Sequence, residues 1–206
     1  MNGLVLIGGG GHCKSIIDSL LENNNYDDIV ITDPGAEVGS KIMGIELVGT
    51  DDCLKELYEK GYKDAFISIG SIKNTIVRRK IYDNAKIIGF SFPSIIDKTA
   101  IVSRFSHIDS GVFIGKNAVV NAEAHIGKQC IINSSSLIEH ECLIGDFTHV
   151  AVGAVICGKV NVGNDCFIGA NATVIHEISI GERAVVAAGS IITKNLDGNA
   201  IYIGKN

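Results

Sequence analysis

The chain is short of positive charge. Its 18 Lys and Arg are outnumbered by 23 Asp and Glu, for a net charge of -5, which argues against broad contact with a nucleic-acid backbone or an anionic membrane surface. Long hydrophobic runs are also lacking. The apolar run at residues 4–7 is too short for a signal-peptide core and far short of a membrane span, so the reading is a cytoplasmic protein without membrane insertion. None of the six cysteines (13, 53, 130, 142, 157, 166) forms a Cys-x-x-Cys pair. They are expected to be reduced, small core residues, and no metal is expected. Proline occurs twice, as Pro34 and Pro93, and the second marks a linker. Charged residues are only 20% of the 206 positions and apolar residues 46%, which excludes a disordered chain and allows one domain or two small ones.

What the chain does contain is a repeat. Cut into sixes from Ala100, residues 100–195 give sixteen unbroken hexapeptides, and the third residue of every one is Ile or Val. Those two residue types make up about a quarter of the chain, so the pattern would arise by chance roughly once in a billion trials or more. The first position is mostly small, and Gly follows the aliphatic residue at 115, 127, 145, 163, 169 and 181, positions that suit tight corners. One strand and one turn cannot bury an apolar side chain alone, whereas stacked coils line such side chains into a continuous interior. This pattern resembles the hexapeptide left-handed parallel β-helix, whose three-sided coils take eighteen residues each, and gives a little over five coils.

Residues 1–92 have no such period. β-rich runs at 4–8, 29–33, 65–70 and 86–92 alternate with helical candidates at 12–23, 51–60 and 73–84, predicting an α/β domain with a small Rossmann-like parallel sheet. The expected division is therefore an α/β domain over 1–92 and a left-handed β-helix over 93–206. The first strand runs into Gly8-Gly9-Gly10-Gly11-His12, where N–H groups at a helix N-terminus can receive a phosphate. Cys13 stands where a dinucleotide fingerprint has its third glycine, which argues against a hydride-transfer cofactor. Asp33 ends the second strand, either as an acceptor from a ribose or base or as a turn-forming residue before Pro34. Gly70 ends the third, at the carboxyl edge where open α/β sheets bind ligands.

In the repeat half, Ser136-Leu137-Ile138-Glu139-His140-Glu141 sets three ionisable side chains at one turn. It is either a solvated polar corner or a His with a carboxylate that raises its basicity as a general base. Steps of eighteen from His140 reach Gly158, His176 and Lys194, which places the four in one column. Coils about 4.8 Å apart set Lys194 about 14 Å from His140, roughly the reach of a pantetheine arm. Such a column offers a base, a backbone N–H for an oxyanion and a cation for a distant phosphate. His149 lies off the column, where it could line the same cleft from a neighbouring chain. His107 and His125 also lie eighteen apart; with no acid evident beside them they read as surface or interface residues. Cys142, at a first position, should point inward and not act as a nucleophile.

With the glycine-rich loop, Asp33, the hexapeptides and IEHECLIGDFTHVAVGA in place, the chain resembles the bacterial nucleotide-sugar N-acetyltransferases of the sialic-acid O-acetyltransferase-like family over almost its whole length. That resemblance implies transfer of acetyl from acetyl-CoA to the 4-amino group of a nucleotide-linked amino-deoxy sugar, first of all a UDP-sugar, in glycan biosynthesis. It implies His140 as general base with Glu141 behind it, and a homotrimer with acetyl-CoA between subunits. His149, Gly158, Ala170, Ala188 and Gly189 would line the acetyl-CoA cleft, Lys194 being added by the column. Gly10, Gly11, His12, Asp33, Pro34 and Gly70 would surround the nucleotide. The chain departs from the family in having Asp33-Pro34 where paired acids are usual, and Tyr202-Ile203-Gly204-Lys205-Asn206 in place of a Gly-x-Pro-Ala-Lys tail. Sugar O-acetylation and GDP-perosamine-type N-acetylation are the neighbouring alternatives, and a non-catalytic sugar-nucleotide sensor is another. A metal-dependent hydrase resembling the γ-class carbonic anhydrases would need three histidines; His176 follows His140 by 36, but Gly181 stands at the third place.

Overall fold

The computed structural model describes residues 2–23, 25–72 and 74–204, so the first residue of the helix expected at 73–84 and the last two of the tail, Lys205 and Asn206, lie outside the described residues. The chain divides into two compact units, one of residues 1–70 with 76–95 and the other of residues 71–75 with 96–206. The sequence pattern put the boundary at 92/93.

In the first unit, β1 (Gly3–Ile7), β2 (Asp28–Thr32), β4 (Ile45–Gly49) and β5 (Asp64–Ile67) form a parallel sheet, with β3 (Lys41–Ile42) antiparallel to β4 at its edge. The order is β3-β4-β2-β1-β5. β1 is thus flanked on both sides, and Leu4, Val5, Leu6 and Ile7 are fully buried, as a central parallel strand requires. Helices α1 (Gly11–Asn23), α2 (Leu54–Glu59) and α3 (Ile76–Ile88) complete the unit. Two readings need correction. The run at 86–92 is not a full strand, because α3 continues to Ile88; only a single bridge, Ser91 to Asp64, extends the sheet. The pair β3 and β4 went unread, since Met43-Gly44 supplies the hairpin turn with both residues at positive φ.

In the second unit, each of the sixteen hexapeptides yields one two-residue strand, from Ile101–Val102 to Ile191–Ile192. Every strand pairs in parallel with the one eighteen residues away, for example Leu137 with Val155 and His149 with Phe167. The strands fall into three walls, and the result is the expected left-handed parallel β-helix. Fourteen of the sixteen third-position side chains are at most 2% exposed, and Val102 and Ile108, in the first coil, are only partly covered.

The corners differ from the sequence reading. First-position residues such as Cys130, Cys142, Ala154 and Ala172 are fully buried and fill the interior instead of forming corners. The left-handed backbone sits at the sixth position, where eleven non-glycine residues, Glu141 among them, have φ of 54° to 61°. Each costs about 1–2 kcal/mol in that region, offset by a hydrogen bond from its N–H to the previous coil, as in Lys159 N–H to His140 O at 3.0 Å. Fourth-position glycines serve close approach: a Cβ on Gly169 would lie 2.4 Å from Ala188 N. Among the described residues no helix is long and apolar enough to cross a membrane.

Because that contact is with backbone, Gly169→Ala forces two coils apart. It is expected to cost about 2–3 kcal/mol, read as a lower urea midpoint with an unchanged m-value, whereas Ala170→Ser next to it stays within about 0.5 kcal/mol.

Candidate active site

His140 and Glu141 follow strand Leu137–Ile138, whose Ile138 is buried in the interior and so anchors the corner. The turn throws both side chains outward, at 54% and 45% exposure. His140 Nδ1 lies 3.0 Å from Glu141 Oε2. A carboxylate only accepts, so Nδ1 carries a proton, and in the neutral ring Nε2 keeps its lone pair. Glu139 Oε2 accepts from the His140 backbone N–H at 3.2 Å, and Lys159 Nζ stands 4.0 Å from Glu141 Oε2.

The column is present. Lys159 N–H bonds to His140 O, and Glu177 N–H to Gly158 O at 3.1 Å, so residues 140, 158 and 176 occupy successive coils, and strand Ile191–Ile192 continues the stack toward Lys194. His176 and Lys194 are exposed. A Cβ on Gly158 would fall 2.6 Å from His140 Nε2; the imidazole therefore rests against the bare Cα. Among the described residues no protein acceptor takes the Gly158 N–H.

The remaining acetyl-CoA candidates occupy other places. Gly189 N–H bonds to Ala170 O at 2.8 Å, so Ala170, Ala188 and Gly189 share an edge, but a different edge from His140. His149 is 8% exposed on the wall between Ile131 and Phe167. Its Nδ1–H donates to Ser71 O at 2.7 Å, Asn133 Nδ2 lies 3.3 Å from Nε2, and the ring packs edge-on to Phe167. Cys142 is fully buried with its Sγ on Cys157 O at 3.1 Å. Burial pushes its thiol up to about 11, so at pH 8 roughly one molecule in a thousand holds a thiolate.

The reading of His107 and His125 needs correction: an acid does accompany them. Asp109 Oδ1 lies 2.9 Å from His107 Nε2 and Oδ2 lies 3.3 Å from His125 Nε2. The signal was an Asp at a fourth position, where the repeat prefers Gly.

In the first unit, β1 ends at Ile7 and α1 begins at Gly11. Gly10 and Gly11 are exposed, and a Cβ on either would meet nothing within 4 Å. A Cβ on Gly70 would lie 3.8 Å from His12 Cβ, so the loops after β1 and β5 converge where the strand order reverses, the usual ligand crevice of such sheets. Asp33 accepts from Gly9 N–H at 2.6 Å and Gly35 N–H at 2.7 Å. The carboxylate thus fastens its own turn to the glycine loop, while Pro34 is exposed beside it.

A hexapeptide β-helix with an outward His–Glu pair, joined to an α/β unit with a glycine loop, defines the class of two-domain hexapeptide acyltransferases. The family pattern for the PglD N-terminal domain matches residues 3–85, and that for the hexapeptide repeat of succinyl-transferase matches 159–194. Among solved structures, a histidine-to-alanine mutant of GDP-perosamine N-acetyltransferase from Caulobacter crescentus, in complex with CoA and GDP-perosamine, is 31% identical. The match covers 99% of this chain and 94% of that one with a TM-score of 0.90. The acetyltransferase domain of PglB from Neisseria gonorrhoeae, in complex with acetyl coenzyme A, is 28% identical over 98% and 96% of the two chains, with a TM-score of 0.90. No curated protein matches the sequence. The chain belongs to the hexapeptide-repeat sugar N-acetyltransferases.

Gly158→Ala tests the contact at the base. The exposed ring can swing away, so the variant should match the parent in thermal stability while losing roughly tenfold or more in kcat. A fall in stability with kcat intact would contradict this.

Proposed function

We propose that the protein transfers acetyl from acetyl-CoA to the 4-amino group of a nucleotide-linked amino-deoxy sugar. The observation that carries this is the His140–Glu141 pair, with Nε2 facing the Gly158 corner. His140 Nε2 takes a proton as the sugar amine attacks the thioester carbon. The C–N bond forms, the oxyanion is held at the Gly158 N–H, and the C–S bond breaks to release CoA, whose sulfur receives the proton. No acyl-enzyme is formed, in keeping with the buried Cys142. The first unit supplies affinity for the nucleotide through Gly10, Gly11, His12, Asp33, Pro34 and Gly70. The diphosphate is received at the start of α1.

The acetyl-CoA cleft beside His140 is assigned to Gly158 and Lys194 of one chain with Ala170, Ala188 and Gly189 of a neighbour, and His149 backs its wall. This assignment is supported by the two sets lying on different edges of a single β-helix. A homotrimer is therefore expected, and sedimentation should give three times the chain mass of 21.8 kDa.

A UDP-linked acceptor is proposed on the family resemblance of the sequence. The GDP-linked reading is favoured by the likeness to GDP-perosamine N-acetyltransferase. Thiol release with both classes of 4-amino sugar tests the reaction. His140→Ala should lower kcat about 100-fold or more with acetyl-CoA affinity nearly unchanged. Glu141→Gln should cost less, because an imidazole remains, and Gly10→Ala should raise only the sugar-nucleotide KM. Near-parental kcat in His140→Ala would overturn the assignment, and sugar-nucleotide binding without turnover would indicate a sensor.

A further inference from the structure

The His107, Asp109 and His125 cluster plays no part in this acyl transfer. The two histidines occupy adjacent coils, paired across strands His107–Ile108 and His125–Ile126, with their rings edge to face at 4.6 Å. Both Nε2 atoms turn to one carboxylate, and the three ligand atoms lie within 4.8 Å of one another. Ligand atoms bound to one tetrahedral zinc ion at about 2.0–2.1 Å stand about 3.3 Å apart; here each histidine faces its own oxygen, His107 Nε2 at 2.9 Å from Asp109 Oδ1 and His125 Nε2 at 3.3 Å from Oδ2. Asp109 and His125 also line an open groove of about 310 Å³ that runs along the same wall.

We propose that His107 Nε2, His125 Nε2 and an Asp109 oxygen form a binding site for one divalent transition-metal ion of the zinc or cobalt kind, with a fourth position left to water. Two imidazoles with one carboxylate suit such borderline ions better than magnesium or calcium, which prefer oxygen ligands. Its effect would be structural. His107 and Asp109 come from the first coil and His125 from the second, so the ion ties together the two coils where Val102 and Ile108 are least covered. An ion that binds only the folded state raises stability by mass action.

Metal-stripped, tag-free protein titrated with Co2+ should take up one equivalent per chain, with visible absorption bands that Zn2+ abolishes. Saturating Zn2+ should also raise the Tm. His107→Ala and His125→Ala should each weaken binding roughly tenfold or more, and the double variant should lose both the bands and the Tm shift. His107→Gln with His125→Gln repeats the test with side chains of similar size, in case truncation disturbs folding. His140→Ala should bind Co2+ as the parent does, which separates this site from the proposed catalytic pair. Absence of bands, one ion per three chains, or unchanged binding in both double variants would overturn the proposal.

Discussion

The second unit depends on one constraint, that each residue must stack on the residue eighteen positions away. The strands are two residues long and could not stand alone; what holds them is the unbroken column of Ile and Val inside and the N–H to carbonyl bonds between coils. One inserted residue would turn the aliphatic row outward and rotate every later corner. The same constraint makes chemistry addressable, because a side chain placed at a corner keeps its neighbours above and below without a second element to hold it.

That is how the His–Glu pair is positioned. Glu141 sits at the sixth position, where the coil demands left-handed backbone, and its φ of 59° is shared with ten other non-glycine residues of the repeat. The strain is therefore a property of the scaffold and not a local device of the site. The turn sets the carboxylate beside Nδ1, and the next coil contributes Gly158, whose missing Cβ leaves room for the ring. A His–Glu pair assembled from one turn and one glycine needs no buried charge, so the desolvation cost attached to interior ion pairs is avoided.

Much of this was legible in the sequence because the repeat converts spacing into position. The three walls, the column through His140, Gly158 and Lys194, and the inward Cys142 all followed from steps of six and eighteen. Three features were not legible. Glycine at the fourth position looked like a corner residue, but its small size matters there for contact with the next coil, which periodicity does not report. Asp109 stands two residues from His107, but its second contact, with His125, forms only once the coils are stacked. In the first unit, the run at 86–92 has strand composition, yet α3 propagates to Ile88 and Gly89, with φ of 115°, ends it. Tertiary context there overrode local propensity. Asp33 was open between ligand contact and turn formation; its bonds from Gly9 and Gly35 make the turn, and its contact with a nucleotide belongs to the proposed function.

Exposure sorts the chemically active residue types more sharply than identity does. His149 and Cys142 are as reactive in principle as His140, but the first spends its ring on Ser71 and Asn133 and the second is fully buried. The interior of a β-helix leaves no space for substrate, since opposing walls already touch. Function on this fold must therefore arise at fifth and sixth positions and along outward wall positions, where the repeat tolerates any side chain. His140, Glu141 and Lys194 stand at such corners and His107 and His125 on such a wall. The aliphatic cluster fills the interior of the stack, so the proposed acetyl-CoA cleft needs a second edge, and in the proposed trimer a neighbouring chain supplies it.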